Sequence, residues 1–279
     1  MIPCRQILLG VTMQIRQITS YDELSGIEAL QTAIWQFEPM AVTPRHVFIA
    51  GIRSGGLVLG AFDQQDTFIG FALAFRGERL GRPCLYSHLV GILPSMQSQG
   101  VGYELKMEQR RFAKSLGFES VVWTFDPLLA KNACLNIQKL GGKVYTFLPN
   151  AYGSTAFKLY GSGFPTHRLE LCWHVNKPIE PETVPKCEAT AVLEFDENNF
   201  PKVNHDMLYH PENKTLSLPI PAHHLPMRIE APDKAHRWQE SVCLCAETLL
   251  SNGYSIQSFR AGENHGSYIF KHKSLTSDL

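Results

Sequence analysis

The sequence predicts a mixed α/β fold, in which helices flank a central sheet and a small α+β unit follows. Short apolar runs, typical of buried strands, alternate with segments whose apolar residues recur every three or four positions, as on one face of a helix. The connections are short, and near residue 176 the chain becomes proline-rich and charged. The 279 residues suffice for one large core or for two modest domains.

The first part of the chain is predicted to form a strand, two helices and a hairpin. Alternation at 14–19 predicts a strand, and the capping-box pattern from Ser20 to Glu23 predicts a helix that begins at Ser20. Pro44 suits the first turn of a second helix, which we expect to start at Thr43. The apolar runs 57–62 and 67–75 flank the polar segment DQQD, which predicts a hairpin.

The next elements follow from apolar runs that end at proline or glycine. A strand at 85–93 ends before Pro94, and a helix at 100–116 ends at Gly117. Further elements are predicted at 120–125 (strand), 128–140 (helix), 144–148 (strand) and 167–175 (strand). The predicted order is therefore β-α-α-β-β-β-α-β-α-β-β.

The segment KPIEPETVP predicts a linker at 177–185, because its prolines favour an extended backbone. We therefore expect a flexible extension at 1–12, an α/β domain at 13–176 and a small α+β domain at 186–279. The last is predicted to contain a strand at 215–218, a helix at 233–251 and a hairpin at 254–259 and 267–271. We expect its helix to pack on the first domain or on a second subunit, and its hairpin to extend an existing sheet.

Charge and cysteine usage narrow the class of protein. Lys plus Arg and Asp plus Glu both number 26, so the net charge of +0 argues against a general nucleic-acid binder. No apolar run approaches the roughly 18 residues that cross a bilayer, and no signal peptide is recognisable. The seven cysteines contain no CxxC pair, so we expect free thiols, a cytoplasmic location and no metal site.

The segment from Tyr86 to Gly102 carries the clearest sign of chemistry. There a strand leads through small residues directly into a long helix, whose first N–H groups can bind a phosphate. Gly100 and Gly102 let a phosphate approach the main chain closely. A Rossmann loop would need Gly where Leu105 stands, and the Gly-Lys-Ser/Thr of a Walker loop is absent.

The hexapeptide QSQGVG, Gln97 to Gly102, resembles the Gln/Arg-x-x-Gly-x-Gly/Ala signature of the GNAT acetyltransferase superfamily. The predicted order of elements is similar to that family too: two helices after the first strand, a hairpin, and the signature between the fourth strand and third helix. The resemblance covers about residues 13–175. TFDP (from Thr124), NAC (from Asn132) and the proline-rich carboxyl extension further resemble a bacterial GNAT subgroup with an added C-terminal domain.

This resemblance implies that acetyl-CoA is a co-substrate, with its pantetheine arm along the strand and its pyrophosphate in the loop. The residues implied in binding it are Val90, Gly91, Ile92, Gln97, Ser98, Gln99, Gly100, Val101, Gly102, Tyr103, Asn132 and Asn136. Asn132 and Asn136 are expected on one helix face, four residues apart. An ordinary buried strand is the alternative for Val90 to Ile92, and a helix cap or surface position for Asn132.

His88 is the candidate general base. GNAT enzymes often place a Glu or His on this strand, and an imidazole of pKa near 6.5 suits a base that works near pH 7. A structural histidine bonded to a neighbour is the alternative.

The sequence departs from the family pattern at the general acid. The Tyr that many GNAT enzymes place four residues before the Gly that ends the fourth helix corresponds here to Ile137, which cannot donate a proton. Cys134, Tyr145, Tyr152 and Tyr160 are alternative donors, although a buried structural thiol is the simpler interpretation of Cys134. The segment from Leu148 to Thr155 either lines the acceptor pocket or forms a plain surface hairpin.

The function that these features predict is transfer of an acetyl or short acyl group from acetyl-CoA to an amine of a small molecule, by direct attack on the thioester. A homodimer is a possible assembly; nucleic acid and membrane are not expected partners. The alternative is a GNAT-like module that binds acyl-CoA as a sensor without transferase activity. The missing tyrosine favours the sensor, and His88 favours the enzyme.

Overall fold

The computed structural model describes residues 13–79, 81–153, 163–179, 189–212 and 214–273. The helices are α1 (Ile27–Trp35), α2 (Arg45–Arg53), α3 (Val101–Ser115), α4 (Ala130–Ala133), α5 (His205–Tyr209), α6 (His224–Glu230) and α7 (Pro232–Ser251). The strands are β1 (Gln14–Gln17), β2 (Leu57–Phe62), β3 (Phe68–Arg79), β4 (Arg82–Ile92), β5 (Ser120–Phe125), β6 (Lys143–Leu148), β7 (Arg168–His174), β8 (Thr190–Ala191), β9 (Leu193–Phe195), β10 (Pro201–Val203), β11 (Leu216–Pro221), β12 (Tyr254–Arg260) and β13 (His265–His272). The predicted order of the first eleven elements is confirmed.

Seven strands form one mixed sheet in the order β1-β2-β3-β4-β5-β7-β6. Only β4 and β5 run parallel in it; the other neighbours are antiparallel. Alternation along β2 shows how the sheet is covered, because Leu57 and Leu59 face the layer of α3 whereas Val58 and Phe62 face the layer of α1 and α2. The predicted fold class, a mixed sheet flanked by helices with a smaller α+β unit after it, is confirmed.

The first helix begins later than predicted. The capping interaction forms, since Glu23 accepts hydrogen bonds from the main-chain N–H groups of Thr19 and Ser20, and these bonds lower its pKa to about 2. They stabilise only a 3₁₀ turn, Asp22–Leu24, and Gly26 at φ 85° separates that turn from α1. A capping box therefore marks the first turn here and not the start of the long helix.

The predicted helix at 128–140 has two parts. It starts as α4 and widens at Cys134 into a π-helix, Cys134–Lys139, in which the N–H of Leu140 bonds the carbonyl of Leu135 five residues back. Asn132, in α4, is exposed, whereas Asn136, in the π-helix, is buried. That the two side chains share one helix face stays a prediction.

The C-terminal unit builds its own sheet, in the order β12-β13-β11-β8, beside a two-stranded ribbon of β9 and β10. The final hairpin pairs with β11, so the expectation that it extends an existing sheet is wrong for the seven-stranded one. The helix α7 was predicted within one residue, whereas α5, α6 and the short strands β8 to β10 were not predicted.

The two units are packed together, as predicted for the helix α7. Both α7 and β12 contact β6, and buried residues of both sheets belong to one continuous apolar core. A buried ion pair joins them as well: Arg228 of α6 donates to Asp126, just after β5, over 2.7 Å. The hydroxyl of Tyr268 donates to the carbonyl of Pro127 next to it.

Two of the predicted segments fall outside the described residues: the extension at 1–12 and most of the linker, 180–185. In the described part of the chain, no helix is long and apolar enough to cross a membrane. No disulfide joins the cysteines in the described part of the chain, Cys84, Cys134, Cys172, Cys243 and Cys245.

Candidate active site

The parallel strands β4 and β5 separate halfway along β4. Their pairing is confined to Leu85 with Val121 and Tyr86 with Val122. Beyond Tyr86 the strand β4 continues to Ile92, paired on its other side with β3. The edge of β4 from 87 to 92, which contains the predicted pantetheine residues Val90, Gly91 and Ile92, therefore faces a gap in the sheet, where an extended ligand can pair with the main chain.

A β-bulge lies at the start of this gap. The register between β3 and β4 passes from Leu73–Leu89 to Ala74–Ser87, which leaves His88 as the extra residue. The bulge turns the His88 ring onto the face of α1 and α2, 5.6 Å from the ring of Phe75. The side chain remains accessible at the surface, and desolvation by the surrounding protein lowers its pKa, so the imidazole is neutral near pH 7.

The predicted pyrophosphate loop lies at the same end of β4. Ser98 (φ 65°) and Gly100 (φ 89°) both adopt left-handed conformations, and α3 starts at the next residue, Val101. No other described residue accepts a hydrogen bond from the main-chain N–H groups of 98–103. Six consecutive donors without a carbonyl partner at a helix start are the arrangement that an anion site requires. The assignment of Gln97 to Gly102 as a pyrophosphate loop stays a prediction.

The remaining loop residues shape that site. The side-chain amides of Gln97 and Gln99 donate to the carbonyls of Ile92 and Ser95, so both side chains stabilise the loop. A Cβ at Gly100 would meet no atom within 4 Å, which leaves open space above the loop. A Cβ at Gly102 would lie 3.0 Å from Ile92 Cδ1, so glycine there lets α3 pack closely on β4.

A cluster of hydroxyl groups covers the face of the sheet that carries His88. The hydroxyl of Tyr152 lies 3.2 Å from that of Tyr86 on β4 and 3.1 Å from Thr124 Oγ1 on β5. The segment that carries Tyr152 is anchored to Thr166, whose hydroxyl accepts from the Tyr152 N–H. These contacts hold Tyr152 against β4 and β5, and both interpretations of the segment 148–155 stay predictions; residues 154 and 155 lie outside the described ones.

Sequence reasoning missed an ion pair beside this cluster. Glu170 on β7 is buried and accepts from both Arg79 and the hydroxyl of Tyr145. Desolvation and the carboxylate raise the pKa of Tyr145, and the bond to Glu170 raises the pKa of Arg79. The available signal was a single Glu in an otherwise apolar strand, LELCW. Because burying an unpaired charge is costly, Glu170 needed a partner, but the sequence did not indicate which residue that would be.

The contacts of the described residues leave fewer candidates for the general acid. Ile137 is buried and apolar, as predicted. The hydroxyl of Tyr145 already donates a hydrogen bond to Glu170. Desolvation, together with the contact to Tyr152, raises the pKa of Tyr86 and so makes it a weaker acid. Cys134 lies 3.3 Å from the side-chain oxygen of Gln138, and Tyr160 is outside the described residues.

No protein-family model matches this chain, and no curated protein is similar to it in sequence. It is similar to solved structures of acetyltransferases. A putative acetyltransferase of Acinetobacter baylyi ADP1 is 16% identical, with 63% of this chain and 99% of that chain covered and a TM-score of 0.49. The yncA protein of Salmonella typhimurium, a putative acetyltransferase with its cofactor acetyl-CoA, is 18% identical, with 61% and 98% covered and a TM-score of 0.47. The ribosomal-protein-S18-alanine N-acetyltransferase of Escherichia coli is 15% identical, with 61% and 99% covered and a TM-score of 0.47.

Proposed function

We propose that this protein transfers an acetyl or short acyl group from acetyl-CoA to an amine of a small molecule. The observation that carries the proposal is the position of the free N–H groups at 98–103, directly beside the gap between β4 and β5. An anion site at the end of an open strand edge suits a long ligand with a pyrophosphate at one position and an extended amide-containing arm at the next.

The chain's own residues support roles on each side of the gap. The N–H groups of the loop hold the pyrophosphate, and the free edge at Val90 to Ile92 pairs with the amides of the pantetheine arm. We assign Asn132, which is exposed just before the π-helix, to bond that arm, in preference to Asn136, which is buried. When bound, acetyl-CoA supplies an activated acyl group.

His88 takes the proton from the attacking amine. Its lowered pKa keeps the imidazole neutral near pH 7, which is the form that a general base requires. The hydroxyl cluster of Tyr86, Thr124 and Tyr152 lies on the same face and lines the acceptor side. These groups are uncharged, so they select the acceptor by hydrogen bonds and ring contacts. The nearby carboxylate of Glu170 forms an ion pair with Arg79.

The alternative is a protein that binds acyl-CoA as a sensor. The apolar Ile137 at the position of the expected acid favours this alternative, because it removes the usual proton donor for the thiolate. The two functions differ in turnover and not in CoA binding.

The experiment is a thermal shift with CoA, followed by acetyl-CoA assays over a set of small amines with free thiol as the readout. We expect CoA to raise the melting temperature of the parent protein by mass action. Gly100→Asp should abolish the shift, since its carboxylate would occupy the anion site. Gly117→Asp is the matched control: it imposes the same left-handed strain (φ 74°) at the other end of α3, again with open space around the Cβ.

The outcomes separate the two functions. A parent protein without a shift at millimolar CoA contradicts both. A shift without thiol release for any amine favours the sensor.

A further inference from the structure

Lys106, on α3, is a buried amine that none of the roles described so far uses. Its side chain is 4% exposed. Its Nζ donates to Ser87 Oγ over 2.8 Å and lies 3.6 Å from the centre of the Trp123 ring. Burial lowers its pKa well below the ordinary value of 10.5, and burial is the only cause of that shift.

The position of Lys106 relative to the sheet is specific. Tyr86 and Val122 are the last residues that pair β4 with β5. Ser87 and Trp123, the two contacts of Lys106, are the next residue on each strand. The amine therefore lies at the apex of the gap, on the face of α3, while His88 lies one residue along β4 on the opposite face.

We propose that Lys106 is the general acid that protonates the thiolate of CoA as it leaves. The proposal rests on the proposed transferase function, and it assigns the role for which the sequence offers no tyrosine. The amine nitrogen of the acceptor forms a bond to the acyl carbon, and the carbon–sulfur bond breaks. The sulfur takes a proton from the ammonium of Lys106, His88 takes the proton of the acceptor, and solvent restores both groups between turnovers.

The surroundings of Lys106 favour proton donation. A thiol has a pKa of about 8.5, so an ordinary lysine would be too weak an acid to protonate a thiolate efficiently. An apolar site disfavours the ammonium, and giving up the proton relieves that cost. The groups that face Lys106 from β4 and β5, Ser87 and Trp123, are uncharged. The titratable residues on either side of Ser87 contact other groups, Tyr86 the hydroxyl of Tyr152 and His88 the ring of Phe75.

Three substitutions distinguish a role of Lys106 in catalysis from a role in folding. Met has nearly the shape of Lys and removes the buried charge, so Lys106→Met should keep or raise the melting temperature. Lys114→Met is the control, because Lys114 lies on the same helix but is exposed. Ser87→Ala removes the hydrogen bond that positions the amine.

The test is steady-state kinetics with acetyl-CoA and an accepted amine, as a function of pH. We expect Lys106→Met to lower kcat about 10²-fold, at the low end for a general acid because a thiolate leaves readily, with little change in KM for acetyl-CoA. The parent enzyme should lose kcat at alkaline pH as Lys106 deprotonates, and Lys106→Met should lack this loss. Ser87→Ala should show a smaller fall in kcat, and Lys114→Met should match the parent.

Two results would overturn the proposal while the transferase function stands: an unchanged kcat in Lys106→Met, or a lower kcat with the alkaline loss still present. The first means that the amine only fills space, and the second means that another group titrates. If CoA raises the melting temperature of the parent protein but no amine is acylated, the transferase function is refuted, and with it the role of Lys106 as general acid.

Discussion

The buried ion pair between Arg228 and Asp126 should be the most sensitive single contact between the two units. Their side chains are 3% and 6% exposed, and Nη2 lies 2.7 Å from the carboxylate. Burial is the strongest influence on Asp126 and opposes its ionisation, but Arg228, Arg168, the bond from the Leu128 N–H and His224 together outweigh burial, so the pKa of Asp126 is lowered from 3.8. Arg228→Met removes the largest of these opposing contributions and leaves the carboxylate buried, with the weaker influence of Arg168 and the bond from the Leu128 N–H.

The expected cost follows from these contacts. Removing one partner of a buried pair lowers the free energy of unfolding by about 3–5 kcal/mol. The measurement is urea unfolding at pH 7, with Arg82→Met as control, because the Arg82–Glu119 pair is 73% and 58% exposed and should contribute at most about 1 kcal/mol. The double variant Asp126→Asn/Arg228→Met should recover part of the loss, since it leaves no unpaired charge.

The dependence on pH gives a second check. A carboxylate whose folded pKa is lowered contributes stability above its unfolded pKa, and this contribution is lost as pH falls through the folded value. The unfolded chains titrate alike, so the difference between the parent and Arg228→Met should be full where Asp126 is ionised in both folded proteins. It should shrink as pH falls and the carboxyl protonates, first in the variant, where burial is no longer opposed by Arg228. A loss no larger than that of Arg82→Met at pH 7 would refute the reasoning, because it would mean that the pair is not desolvated.

Three further predictions concern the site and the C-terminal unit. His88→Ala should lower turnover about 10²–10⁴-fold with CoA affinity nearly intact, and raising the pH should relieve part of the loss by freeing the acceptor amine; unchanged turnover would leave His88 a structural residue. Tyr152→Phe removes the hydroxyl that joins Tyr86 to Thr124, so we expect KM to rise for the amine but not for acetyl-CoA, and equal changes in both would contradict an acceptor-side role. A chain that ends at Lys177 should aggregate or lose turnover in gel filtration and thiol-release assays, because it exposes a core shared by both units; a soluble, monomeric and active product would show that the second unit is independent.

Much of the fold was predictable from local patterns. The strand at 120–125 and the helix ends at Gly117 and Ser251 were correct to within a residue, because apolar runs, glycine stops and helical periodicity depend on neighbouring residues alone. The segment QSQGVG predicted the loop for the same reason, since left-handed glycine and a helix start are local properties. The start of α1 was wrong because Gly26 separates the capping box from the helix.

The sequence by itself determined the order of elements and predicted the glycine-containing loop before α3. Tertiary structure alone decided the gap beyond Tyr86, the bulge that turns His88 towards Phe75 and the π-helical turn that buries Asn136. It also decided the partners of Glu170, Lys106 and Asp126, which lie 91, 19 and 102 residues away along the chain. The physical reason is that burying a charge requires a partner, whereas the identity of that partner depends on which strands and helices the fold brings together.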